Sequence, residues 1–308
     1  MPKPSRPQRR HRPRFQRAAP PPFQLTPRDI AIVREVARHR FLRSTQISAV
    51  MNMSHKKTCH RLNRLYHAGY LDRPRVQIEY HVAGGGSAPM VYGLGPKARL
   101  LLNVATEVAA RRTMRGRSVG RVFLLHTLAI ADFRIAIQTA AAVTANIAHL
   151  DFDQVLQLAP QPTQTCSNPF AWKVAIDGLV HVSATPDDVF ALRLGGNHAR
   201  NFLVEIDRGT MPIERASFNQ TSVLRKLVTY EIARQQRLHA RHYGWTSFRV
   251  LVLTSSAERA AHIRAAIARS PRLAASPLFL VAAQTEITAS TILKPFWIDG
   301  SGKSVALI

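Results

Sequence analysis

Four carboxylates fall within twenty-one residues of a chain otherwise poor in acid: Asp187, Asp188, Glu205 and Asp207. They lie in two stretches, Thr185 to Leu192 and Asn201 to Thr210, in which β-branched and aromatic residues dominate. Gly195-Gly196-Asn197 separates these stretches with residues that suit a hairpin turn. Alternation along a strand puts Phe202, Val204 and Ile206 on one face and Leu203, Glu205 and Asp207 on the other. The open end of such a hairpin carries Asp187 and Asp188 close to Glu205 and Asp207. Crowded carboxylates repel unless a proton or a cation joins them, and hard oxygen ligands suit Mg²⁺ or Mn²⁺. The chemistry implied is metal-assisted attack of water on a phosphate, with Asp187 and Glu205 as the metal ligands. The plain alternative is a solvated hairpin whose acids have no task.

The elements that must position these acids follow from the pattern around them. A long apolar helix is predicted over about Gly120 to Ile147, and strands over Ala171 to Ile176 and Leu179 to Val182. After the acidic hairpin come a helix from about Ile213 to His242, an apolar strand Phe248 to Thr254, a helix Ser256 to Ala268 and a strand Leu278 to Ala283. Hairpins followed by crossovers give an α/β domain, 119–308, with a mixed sheet flanked by helices.

Charge marks the other end of the chain. Of 308 residues, 43 are Lys or Arg and 18 Asp or Glu, and residues 1–118 hold 24 of the basic and only 5 of the acidic side chains. A polyanion is the natural partner of such a surface. The apolar stretch from Val122 to Leu150 is interrupted by His126, Asp132, Arg134 and His149, so it reads as a core helix, and no membrane partner is expected. The basic, proline-rich start does not fit a secretory signal. Two distant cysteines, Cys59 and Cys166, give neither a disulfide framework nor a zinc spacing, and a cytoplasmic location is expected.

Residues 1–24 carry seven cations and no acid, and read as a disordered basic tail able to neutralise phosphates. From 25 to 112 the pattern is an α+β winged helix-turn-helix. Thr26 and Pro27 start the first helix, Ser44 to Met51 is the second, and Ser54 and Gly69 bound the third. On that third helix Cys59, Leu62, Leu65 and Tyr66 share one side, while Lys56, Lys57, His60, Asn63, Arg64 and His67 share the other. A basic, amide-bearing face free of acid is suited to phosphates and base edges of double-stranded DNA. A wing is expected from Arg75 to Val82 and back along Pro89 to Leu94, with Arg73 and Arg75 at its base reaching the DNA backbone. A helix from Pro96 to about Arg112 and an Arg/Gly-rich linker, 113–118, complete the front of the chain.

Pro186-Asp187 and Glu205-Ile206-Asp207, in this order of elements, resemble the restriction-endonuclease-like fold of the PD-(D/E)XK nucleases. The lysine usual two residues after the second acid is Asp207 here. The resemblance implies that a basic group can come from the following helix instead, where Lys226 stands with Tyr230 one turn later. The chain also resembles the replication-relaxation family of plasmids and other mobile elements. That likeness is carried by Leu25 to Asp29, Arg61 to Leu71, Tyr92 to Lys97, His126, Pro186-Asp187, Glu205 to Thr210 and Lys226 to Tyr230. It implies a role in plasmid replication and DNA relaxation.

Two functions follow. In the first, a metal-dependent nickase uses Asp187, Glu205, Asp207 and Lys226 as catalytic residues, with Asp188 or Asp207 assisting the metal and Lys226 steadying the oxyanion. In the second, a non-catalytic initiator or transcriptional repressor uses its nuclease-like domain to dimerise or to dock replication or mobilisation proteins. The missing motif lysine favours the second. No glycine-rich phosphate loop supports an ATPase. Tyr230 or Tyr243 as a covalent nicking nucleophile, and His239 with His242 as metal ligands, have weaker claims.

Overall fold

The computed structural model describes residues 14–19, 22–77, 88–102, 120–178, 180–196 and 198–308. The chain divides into two compact units, residues 1–131 and 132–308. The predicted linker, 113–118, lies outside the described residues.

The first unit is built on three helices, α1 (Pro27–His39), α2 (Ser44–Val50) and α3 (His55–Ala68), with strands β1 (Leu42–Arg43), β2 (Leu71–Asp72) and β3 (Val91–Leu94). Thr26 caps α1 through a reciprocal box: its hydroxyl accepts from Asp29 N, and Asp29 Oδ2 accepts from Thr26 N at 2.8 Å. Gly69, at φ 89°, closes α3 in the left-handed conformation that glycine adopts without strain. The strands form an antiparallel sheet in the order β1-β3-β2. Ile32, Val33 and Val36 of α1, Ile47 of α2 and Leu62, Leu65 and Tyr66 of α3 are buried. Gly95 passes so close to the end of α3 that an added Cβ would strike the Gly69 carbonyl oxygen.

The strand expected from Arg75 does not begin there. Arg75–Gln77 is a 3-10 turn, and the Gln77 side chain takes the place of a strand partner: its Oε1 accepts from Val91 N (2.6 Å) and its Nε2 donates to Val91 O (3.0 Å). The rest of the expected wing, residues 78–87, lies outside the described residues. So does most of the helix predicted after Pro96, of which α4 (Ala98–Leu101) is described.

The next helix, α5 (Arg121–Val143), is the one described helix long and apolar enough to cross a membrane, and it is partly buried inside the protein. Its N-terminal half adds Leu124 and Leu128 to a small cluster with Phe41 and Val91 in the first unit. The prediction carried this helix to Ile147. Asn146 instead takes φ 61° and turns the chain, so that Ile147–Leu150 forms the edge strand β4.

The second unit continues with two short helices, α6 (Phe152–Gln157) and α7 (Gln161–Gln164). Then come β5 (Trp172–Ile176), β6 (Val180–Ala184), β7 (Asp188–Leu194), β8 (His198–Asp207), α8 (Val223–Gln235), α9 (Leu238–Tyr243), β9 (Phe248–Thr254), α10 (Ala257–Arg269), β10 (Phe279–Ala283), β11 (Trp297–Asp299) and β12 (Ser304–Val305). A seven-stranded sheet runs β12-β11-β10-β9-β8-β7-β4, while β5 and β6 pair separately. The pairs β8–β9 and β9–β10 are parallel, and the outer strands are antiparallel. The fold class is mixed α/β, as read from the sequence. The single helix expected from Ile213 to His242 is two: Ser222 caps α8, and Arg237 at φ 54° breaks the chain before α9.

Candidate functional site

The register of the acidic hairpin decides which carboxylates meet. Val189 pairs with Leu203 and Asp188 with Val204, so the side chain of Asp188 shares the Val204 face. Glu205 and Asp207 project from the opposite face, toward α8 and α10. Asp188 therefore does not join the other acids. It is buried and bound through both carboxylate oxygens to Arg134 of α5. Two consecutive acids at a strand start must diverge, which the expectation of four gathered carboxylates overlooked.

Glu205 lies near the C-terminal end of β8 with 5% of its surface exposed. Lys226 Nζ donates to its Oε2 at 2.6 Å, and Tyr230 Oη donates to its Oε1 at 2.5 Å. Lys226 and Tyr230 are four residues apart on α8, which puts them on one helix face. Asp187 sits at the edge of this knot, where its Oδ2 accepts from Ile206 N at 2.8 Å. Burial pushes the Glu205 carboxyl up to about 7; Lys226 opposes that rise and Asp187 adds to it. Burial alone would lower the Lys226 ammonium, but Glu205 and Asp187 together raise it. Burial, reinforced by Glu205, drives the Tyr230 phenol well above its ordinary value. The result is a group that carries or releases a proton near neutrality, bonded between a cation and a neutral hydroxyl.

Asp207 has a different setting. Arg259 of α10 grips both of its oxygens and also donates to Met211 O, while Thr254 Oγ1 donates to Asp207 Oδ2 at 2.8 Å. Of the four residues expected to act together, Asp187, Glu205 and Lys226 converge and Asp207 is held in a separate clamp. Sequence reasoning missed Arg134 and Arg259. The one available signal was that each buried acid needs a cation, and spacing alone does not say which.

These residues do not fit a divalent metal as arranged. Among the described residues no group of three or more His, Cys, Asp or Glu side chains stands ready to hold one. Both Glu205 oxygens are bonded to Lys226 and Tyr230, so an Mg²⁺ or Mn²⁺ between Asp187 and Glu205 would have to displace an ammonium. Tyr230 and Tyr243 are both buried, and Tyr243 Oη donates to Pro169 O, so neither hydroxyl faces solvent as a nucleophile. His239 is buried against Phe248.

In the first unit, α3 turns Leu62, Leu65 and Tyr66 inward and leaves Lys56, Lys57, His60 and Asn63 exposed, with Arg64 and His67 half-buried. Arg75 is exposed. Arg73, expected to project toward DNA, is buried instead. Its guanidinium lies 4.0 Å from the Tyr66 ring centre and donates to Asn63 Oδ1 (2.9 Å), Tyr92 Oη (3.1 Å) and Arg14 O (2.6 Å). Part of the stretch read as a tail is also packed here. Arg17 donates to Tyr66 O (2.9 Å) and Leu71 O (2.8 Å) and pairs with Asp72, and Ala18 N donates to His67 Nδ1. These bonds tie the stretch to the last turn of α3 and to β2.

An α/β chain with a helical front unit and an acid–lysine–tyrosine knot on a central strand is the class that fold and site define. A family model described as replication-relaxation matches residues 33–248, more than two thirds of the chain, and the protein belongs to that family. No curated protein and no solved structure matches the chain.

Proposed function

We propose that this protein binds double-stranded DNA through α3 of a winged helix-turn-helix, acting in replication or relaxation of a plasmid or other mobile element. The observation that carries this reading is the outward face of α3: Lys56, Lys57, His60 and Asn63 are exposed, and the helix contains no acid. A merely solvated helix usually interleaves both signs of charge. The cations suit phosphates and Asn63 suits an adenine edge, so the helix has the chemistry for both positioning and readout. The second unit serves in this reading as a nuclease-like body that docks another copy or a replication protein.

The test is duplex binding by fluorescence anisotropy across a salt series. Lys56→Ala/Lys57→Ala lowers affinity and flattens the slope of log K against log salt by about 1.8, since each lost phosphate contact removes about 0.9. An unchanged slope in a folded variant removes α3 from the interface.

One observation favours a second reading, phosphodiester nicking: Lys226 reaches Glu205 beside Asp187, as the PD-(D/E)XK resemblance implies. In it Lys226 steadies charge on the phosphate and Glu205, poised near neutrality, accepts a proton. Incubation with supercoiled plasmid, with and without Mg²⁺ or Mn²⁺, separates the readings. Nicking that Glu205→Ala and Asp187→Ala both abolish establishes the enzyme; intact plasmid in every arm leaves the binding module.

A further inference from the structure

A cavity of about 660 Å³ opens in the first unit where the chain before α1 crosses the end of α3, and Phe15, Arg17, Tyr66, Asp72, Arg73 and Arg75 line it. Its charge is uneven. Asp72 is the one acid among these residues, and it is occupied by Arg17 at 3.2 Å and by Arg73 N at 3.0 Å. Arg73 has 8% of its surface exposed, yet its Nε is buried with no hydrogen-bond partner among the described residues. A buried, unsatisfied guanidinium N–H costs stability unless something accepts from it. Arg75 stands exposed at the cavity and makes no ion pair among the described residues. Two aromatic rings complete the walls: Tyr66 is buried under the Arg73 and Arg17 guanidinium groups, whereas Phe15 is only half-buried.

From this combination we infer that the cavity is a binding site for a nucleotide-type anion, a phosphate joined to a planar base. Arg73 and Arg75 supply the guanidinium donors that match phosphate oxygens, and the half-buried Phe15 ring supplies a face on which a base can stack. The volume falls within the range of small-molecule sites and exceeds the needs of an inorganic anion. Occupancy has a route to the surface of α3, because Arg73 Nη2 also holds Asn63 Oδ1. A phosphate accepting from Arg73 competes for the guanidinium that fixes the Asn63 side chain. The same chemistry has two sources: a free mononucleotide, or the terminal nucleotide of a DNA strand.

The experiment titrates the full-length protein with AMP, with inorganic phosphate, and with a short single-stranded oligonucleotide carrying either a 5′-phosphate or a 5′-hydroxyl, by isothermal calorimetry. AMP binds, and Arg75→Ala and Phe15→Ala, both outside the core, each weaken it by about tenfold while the thermal transition stays in place. Competition of AMP with the phosphorylated strand alone identifies a DNA end as the occupant; AMP binding without strand binding identifies a free nucleotide. Absence of AMP and strand binding overturns the inference. So does phosphate binding as tightly as AMP with no effect of Phe15→Ala, since the Phe15 ring then does nothing. No duplex enters this titration, so its result is independent of the α3 reading.

Discussion

Lys226 Nζ lies 2.6 Å from Glu205 Oε2 and supplies the ammonium that holds this carboxylate inside the protein. The pair is unequal: 28% of the lysine side chain is exposed against 7% of the glutamate. Solvent thus supports the cation while the anion depends on its neighbours, and the proton balance of the site turns on Glu205.

Stability depends on pH through that carboxyl. Its value in the folded chain, about 7, stands above the ordinary 4.5. The native state therefore holds the proton more tightly than the unfolded chain, and stability falls as pH climbs through the window between these values. The loss amounts to about 3 kcal/mol. Glu205→Gln removes this slope, which urea denaturation at pH values on either side of the window measures. A variant that keeps the full slope assigns the titration to another group.

Removing the cation has a pH-dependent cost. Lys226→Met leaves Glu205 with Tyr230 alone and lowers stability by about 2 kcal/mol on the alkaline side of the window, a figure reduced for the lysine's partial exposure. Below the window Glu205 carries its own proton, and the cost shrinks. Equal losses at both pH values would show that Lys226 acts through packing of its alkyl chain.

Arg259→Ala strands Asp207, 8% exposed, with Thr254 as its remaining side-chain donor. A loss of about 3 kcal/mol is expected, because breaking a buried pair leaves an uncompensated charge. Asp207→Asn in the same background restores about half of it. Chemical denaturation of the single and double variants gives the coupling directly.

Gly95→Ala drives a methyl group against the Gly69 carbonyl and costs about 2 kcal/mol, borne by the first unit. All three tryptophans, Trp172, Trp245 and Trp297, belong to the second unit. Tryptophan fluorescence is therefore expected to report an unaltered transition while amide exchange speeds up in α1 and α3. Loss of the fluorescence transition would show that the units unfold as one.

Much of this architecture was legible in the sequence because it is written in local signals. Thr26-Pro27, Gly69 and the glycines between β7 and β8 mark their boundaries by local chemistry, and Ser54 stands at the start of α3 although its side chain makes no capping bond. Lys226, with Tyr230 one turn later, is indicated by the resemblance to the PD-(D/E)XK nucleases, and their spacing of four puts both on the face of α8 that meets Glu205. What failed was decided at a distance or by an unusual dihedral. Asn146 and Arg237 adopt left-handed conformations that composition does not announce, so two helices were drawn too long. Arg73 carries the same charge as Arg75, and only packing against Tyr66 and Tyr92 tells an internal guanidinium from an external one. Arg134 and Arg259 lie 54 and 52 residues from the acids they hold, beyond any local pattern.

The order in which strand β8 acquires its neighbours has a kinetic meaning. Its antiparallel partner β7 is joined by a short turn, whereas Lys226 and Arg259 arrive from helices 21 and 52 residues away from Glu205 and Asp207. Loop-closure entropy favours forming the hairpin first, with both carboxylates hydrated until the later helices close over the sheet. Refolding followed by tryptophan fluorescence is therefore expected to be limited by that late dehydration and to run faster in mild acid, which protonates Glu205 beforehand.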